Sequence, residues 1–206
     1  MTQLLEKIDY EDTKQLNDIT KQIREIILKS EFPKEMQEEI TESYEHLDVK
    51  DIDFKAGGTA LDILKTSAEP IFVAVRSSAT TEDLAEASFA GQQDSFVNIK
   101  GNQDLLKHIK KCLASLFTSR ATYYRNKKNF KHMEASLAVV VQKMVNSDKS
   151  GVIFSKDPAY KNDNIIMEAV FGLGEGIVSG RITPDKYVIS QDLKILDKKT
   201  SDKKVA

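Results

Sequence analysis

Residues 71–75, Ile-Phe-Val-Ala-Val, form an unbroken apolar run rich in β-branched side chains, and the chain turns polar at the next position, Arg76. Such a run is the pattern of a strand covered on both faces. A guanidinium at the end of that strand can be held rigidly while its fork of donors faces a cleft. The residues that follow, SSATTEDLAEASFAGQQDSF over 77–96, are hydroxyls, acids and small side chains rather than core. Ser77, Ser78, Thr80 and Thr81 supply short hydroxyls, while Ser88, Ala90 and Gly91 are small enough to let backbone amides approach an anion. The segment reads either as a phosphate site or as a surface turn in which Arg76 pairs with Glu82 or Asp83, and local sequence leaves both open.

Around this segment the chain changes character once. Leu16, Ile19, Ile23, Ile26 and Ile27 recur at helical spacing behind a cap at Asp12 or Thr13, predicting an amphipathic helix over 11–30. Pro33 opens a second helix with Met36, Ile40, Tyr44 and Leu47 on its apolar side and Glu35, Glu38, Glu39 and Glu42 turned to water. Residues 48–58 have no clear period and end in a glycine pair, a connection to a short helix near Ala60 to Ser67. From Asn102, a plausible cap, a long helix is expected to about Lys128 on the stripe Leu105, Ile109, Cys112, Leu113 and Leu116. Leu137 to Val145 and Gly151 to Phe154 flank the polar turn NSDKS as an expected hairpin, and further strands are expected at Ile165 to Val170 and Tyr187 to Ser190. The last ten residues read as a surface strand or frayed tail. Helices first and hairpins later predict an α+β fold, with a helical segment at 1–68 and a second portion at 69–206.

Composition narrows the function classes. A formal net charge of -2, with 40% hydrophobic and 30% charged residues, is that of a globular chain without a general nucleic-acid or membrane surface. No apolar run approaches a membrane span and the N-terminus lacks a signal-peptide core, so a cytoplasmic location is expected. The single cysteine, Cys112, rules out an intrachain disulfide and a Cys-based zinc cluster and is expected to be a core thiol.

Other motifs carry less. FGLGEGIVSG at 171–180 has Ile177 where a dinucleotide fingerprint needs glycine, and no Gly-Lys-Ser/Thr closes a P-loop, so a strand-to-helix turn built for packing is expected. Glu168 and Glu175 are secondary candidates for polar contact with a ligand. Gln142 and Lys143 interrupt an apolar strand whose Val139, Val140 and Val141 suggest burial on both faces; a buried amide would need a partner, from protein or ligand. His46, His108 and His132 are expected at the surface or at helix ends. The cluster Arg120, Arg125, Lys127, Lys128 and Lys131, with Tyr123 and Tyr124, reads as a solvated helix end rather than an RNA site.

Taken together, VAVRSSATTEDLAEASFAGQQDSFVNIKG, SLFTSRATYYR, LAVVVQKMVNSDKSGVIFSKDP and MEAVFGLGEGIVSGRITPDKYVI resemble, in order, the nucleotide-binding domain shared by phosphoenolpyruvate synthases, pyruvate phosphate dikinases and rifampicin phosphotransferases. The resemblance covers most of the chain from about residue 70. It implies an ATP-grasp-like fold with mixed or antiparallel sheet and flanking helices, and ATP in a cleft between lobes. It also implies Mg2+, and transfer from ATP to a histidine on a separate domain that then phosphorylates the acceptor, pyruvate for the synthases. By motif position Arg76 would contact phosphates, Gly91 and Ser95 would belong to the loop over them, and Gln142 would lie at the adenine side. Met144 and Val145 resemble the hinge whose backbone reads the adenine edge. The family's Gly-Gly-Lys segment, later carboxylates, histidine domain and barrel have no counterpart here, since Gly57 and Gly58 precede Thr59. The chain is therefore expected to be a portion that does not turn over alone, and that exposes apolar surface suited to self-association. A related phosphotransferase, or a domain that keeps the fold without catalysis, stays open.

Overall fold

A computed structural model describes residues 1–47, 70–79, 83–84, 87–88, 94–160 and 162–201. The chain divides into two compact units, 1–144 and 145–206. All its described strand pairs are antiparallel, and helices accompany them, so the fold is α+β. Both the helix expected near Ala60 to Ser67 and the boundary at 68–69 lie outside the described residues.

The first unit begins with α1 (Thr2–Leu5) and α2 (Thr13–Lys29). Asp12 caps α2 by accepting from the backbone of Lys14 and Gln15 at 2.9 and 3.1 Å, which satisfies donors a helix start leaves unpaired. Leu16, Ile19 and Ile23 are buried as the spacing predicts, whereas Ile26 is exposed. These residues share a cluster with Leu5, Ile8, Leu116 and Phe117. In α3 (Lys34–His46), Tyr44 is buried, and its hydroxyl donates to the Ile71 carbonyl at 2.6 Å and accepts from the Gly101 amide at 3.0 Å.

The expected long helix is two. α4 (Asn102–Ser115) starts after Gly101, whose φ of 89° suits glycine, and no side chain caps it; the Asn102 amide instead donates to Glu45 at 3.1 Å. The break follows because Leu116 and Phe117 are both buried in the α2 cluster, and Thr118 then restarts the backbone by accepting from the Ala121 amide. α5 runs Ser119–Lys127.

β1 (Val73–Ala79) is the middle strand of a three-stranded sheet, between β4 (Ser95–Ile99) and β5 (Leu137–Lys143). The short strands β2 (Asp83–Leu84) and β3 (Ala87–Ser88) pair with each other. On one face of the larger sheet Val73 and Val75 are fully buried with Ile99, Leu105, Ile109 and Cys112 of α4 and its approach. Among the described residues the opposite face is uncovered: Phe72 and Val140 are 52% and 45% exposed. The two-sided burial expected for 71–75 and for Val139 to Val141 is thus corrected to strict alternation, since helices cover one side of this sheet.

The second unit is a sheet in the order β6 (Lys149–Phe154), β7 (Ile165–Phe171), β8 (Asp185–Ile189), β9 (Ile195–Lys199). The expected hairpin between Leu137 to Val145 and Gly151 to Phe154 is not formed: β5 pairs with β1, and β6 pairs with β7. Gly151 lies where a Cβ would stand 2.6 Å from the Glu168 carbonyl oxygen of β7, so the ladder closes there because the residue has no side chain. After β7, Gly172 takes a φ of 75°; its amide donates to the Asp148 carbonyl at 2.8 Å, and its own carbonyl accepts from the hydroxyls of Ser147 and Ser150 at 3.1 and 2.7 Å.

Candidate nucleotide site

The open face of the three-stranded sheet brings together three of the four residues singled out in the sequence. Because Val73 and Val75 turn inward, Arg76 turns outward, and it is exposed. In register, Ser95 on β4 and Val140 on β5 stand directly opposite Arg76, and Gln142 stands opposite Ala74, one outward position along. Arg76 Nη1 donates to Gln142 Oε1 at 3.2 Å. Among the described residues this is the hydrogen-bond partner of Arg76. Gly91 and Glu82 lie outside the described residues, as do Thr80, Thr81 and Ala90.

Farther along the same face, Phe72 is overlaid by Lys100, its Nζ 5.3 Å from the ring centroid. At the expected hinge of Met144 and Val145, one backbone donor is already engaged within the sheet. The Met144 amide donates to the Phe72 carbonyl at 2.9 Å, extending the β1–β5 pairing, and its sulfur accepts from the Asn98 amide at 3.0 Å. Val145 is 76% exposed.

The glycine-rich segment 171–180 forms a turn and the four-residue helix α6 (Glu175–Val178), and a Cβ on Gly176 would run into the Ile182 side chain, which would have to shift. Glu175 pairs loosely with Arg181 at 3.8 Å, and Glu168 sits in the ladder opposite Lys186. His46 and His108 each bond a backbone carbonyl four residues earlier on their own helix.

Sequence reasoning missed a buried polar cluster. Arg125, expected on a solvated helix end, is 1% exposed, and His132 is half-buried beside it. Arg125 Nε donates to His132 Nδ1 at 3.3 Å, which places the ring proton on Nε2, facing the Tyr10 hydroxyl at 2.6 Å. Thr122 accepts from Arg125 Nη2 at 3.5 Å, and the guanidinium lies over the Phe117 ring. Burial, and then the Arg125 charge, push the His132 pKa down to about 4; burial lowers Arg125 to about 10. A histidine held neutral in the fold but free to protonate when unfolded contributes stability above about pH 6.5 that is lost as pH falls toward 4. The unfolding free energy from urea titration should therefore drop between pH 7 and 5, by about 1 kcal/mol once the ring's partial exposure is discounted. His132→Gln should flatten that slope; an unchanged slope would remove this histidine as its source. Cys112 is fully buried, and burial raises its thiol to about 11, the inert core thiol expected.

Among the described residues no three His, Cys, Asp or Glu side chains converge as a metal site, and no helix is long and apolar enough to cross a membrane.

An outward arginine, a serine opposite it and a glutamine amide beside it on a rigid sheet are a set of donors suited to an anionic oxygen. The family comparison agrees in kind: the model of the pyruvate phosphate dikinase AMP/ATP-binding domain matches residues 1–206, and the chain belongs to that family. It is 47% identical to a probable phosphoenolpyruvate synthase of Archaeoglobus fulgidus and 43% identical to a phosphoenolpyruvate synthase of Pyrococcus furiosus, each over 98% of this chain. It is also 39% identical, over 98% of its length, to a rifampicin phosphotransferase of Bacillus cereus. The chain spans 25%, 23% and 21% of these relatives, respectively.

Proposed function

We propose that the chain is the ATP-binding portion of an enzyme that converts ATP, pyruvate and water to AMP, phosphoenolpyruvate and phosphate, with Arg76, Gly91, Ser95 and Gln142 as nucleotide contacts. The observation that carries this reading is the convergence of Arg76, Ser95 and Gln142 on one open sheet face in a chain of the AMP/ATP-binding family. An ATP-grasp-like arrangement, a cytoplasmic setting, a role in regenerating phosphoenolpyruvate for gluconeogenesis, and self-association through exposed apolar side chains belong to the same proposal.

Chemically, phosphoryl transfer asks the protein for positioning and for neutralisation of charge on the moving group. A guanidinium projecting from a strand whose other face is packed offers a fixed cation with little freedom to lose on binding. Ser95 adds a short hydroxyl across the strand pair. Magnesium would supply further neutralisation when bound; among the described residues no carboxylates converge to hold it. The pyruvate site and the phosphate-carrying histidine lie outside this chain on this reading.

The test is product analysis with the whole protein that carries this chain. ATP with pyruvate should yield AMP, phosphoenolpyruvate and phosphate in equal amounts, and no more than about one AMP per enzyme without an acceptor. The Bacillus cereus relative favours one second reading, in which the acceptor is rifampicin. AMP formation that depends on rifampicin and ignores pyruvate would establish that alternative.

A further inference from the structure

The contact between Arg76 and Gln142 has a polarity that limits what Gln142 can do. A guanidinium carries donors and no acceptor, so the glutamine atom facing Arg76 Nη1 at 3.2 Å must be the carbonyl oxygen. The other end of the amide, Nε2, then offers two donors on the open face beside the guanidinium. Reading the amino edge of adenine takes an acceptor for the exocyclic amine, and one of the two lone pairs of Gln142 Oε1 is already directed to Arg76. The neighbouring Met144 amide, a donor that could have faced a ring nitrogen of the base, is engaged by the Phe72 carbonyl at 2.9 Å.

The register supports the same conclusion. Gln142 pairs with Ala74 and Arg76 pairs with Val140, so the two polar side chains are diagonal neighbours on adjacent strands, within reach of one another. Ala74 is too small to come between them. Val140 flanks the guanidinium on the β5 side, and Ser95 stands opposite it on the β4 side. A long, exposed arginine without a partner would sample many rotamers; an amide oxygen on the neighbouring strand selects one.

We infer that Gln142 is a positioning residue for Arg76: its carbonyl orients the guanidinium, and its amide donors join Arg76 toward the polyphosphate of the nucleotide, leaving base selection to other residues. The inference rests on the reading of this face as an ATP site.

The test titrates this chain with ATP, GTP and inorganic tripolyphosphate, unsubstituted and as Gln142→Ala, Arg76→Ala and the double substitution. Gln142→Ala should weaken ATP and tripolyphosphate alike, by about three- to tenfold, and leave the ATP-to-GTP preference unchanged. In the Arg76→Ala background it should cost clearly less than in the unsubstituted chain, since only its own amide contact is then lost, a coupling that a general loss of folding would not produce. A changed ATP-to-GTP preference with tripolyphosphate unaffected would overturn the inference and return Gln142 to the base. Tighter binding by Gln142→Ala would also overturn it, making the contact a latch that nucleotide must break. Side-chain NMR of Arg76 without ligand decides the contact independently: resolved Nη protons in the unsubstituted chain should collapse to averaged signals in Gln142→Ala. Identical Arg76 signals in both would dismiss the contact. Failure of every phosphate ligand to bind, with that NMR change present, would instead count against the ATP reading.

Discussion

Arg76→Ala should weaken ATP binding about ten- to a hundredfold, the equivalent of losing one charge-assisted contact of roughly 1.5–3 kcal/mol. The guanidinium is the group on the open sheet face whose charge is opposite to phosphate and whose geometry matches its oxygens two at a time. Arg76→Lys should recover only part of the loss, because an ammonium keeps the charge but not the planar fork that meets two oxygens at once. The loss should be greatest for ATP and smallest for adenosine. Calorimetry across ATP, AMP and adenosine measures this, and an equal loss for all three would move Arg76 away from the phosphates. Stability should scarcely change, since the side chain is exposed.

Leu105→Ala, in contrast, should destabilise the first unit by about 2–5 kcal/mol, the range for a fully enclosed leucine whose site cannot collapse. Leu105 has no exposed surface and sits in one cluster with Val73, Val75, Ile109 and Cys112, so α4 and β1 meet through it. The cavity would lie directly beneath the strand that presents Arg76, and ATP affinity should fall along with stability. Urea unfolding gives the first quantity and titration the second. Leu196→Ala, at a position 58% exposed on β9, should shift stability by no more than about 0.5 kcal/mol. A Leu105→Ala loss as small as that would mean the cluster repacks around the gap.

How much of this was legible in the sequence varies by kind of signal. The stripe Leu16, Ile19, Ile23 and the cap at Asp12 were readable because both are local, set by residues within a turn or two. The single long helix was misread because the α4 stripe runs straight into Leu116 and Phe117, and nothing in that spacing says which cluster those two join. The hairpin failed for a related reason: alternation identifies a strand but not its partner, and β5 pairs with residues as far as Val73, opposite Lys143. The three valines of β5 suggested two covered faces because valine suits a half-exposed strand equally well.

At the candidate site, Arg76 was singled out by the abrupt end of an apolar run, Gln142 by its interruption of an apolar strand as well as by family resemblance, and Ser95 by the resemblance alone. Their placement on one face required the register, which no single segment encodes. The burial of Arg125 was hidden because its neighbours, Lys127 and Lys128, are exposed lysines, while one of the groups that encloses it, Tyr10, comes from the other end of the first unit.

The grip on Gly172 also has a kinetic side. Its amide and carbonyl are both held by the segment Asp148 to Ser150 where β6 begins, so the turn after β7 cannot open by itself; it must wait for the β6–β7 ladder to part. Amide exchange at Gly172 should consequently proceed at the pace of its sheet rather than at that of an exposed loop, making a turn between elements one of the slow reporters of the second unit.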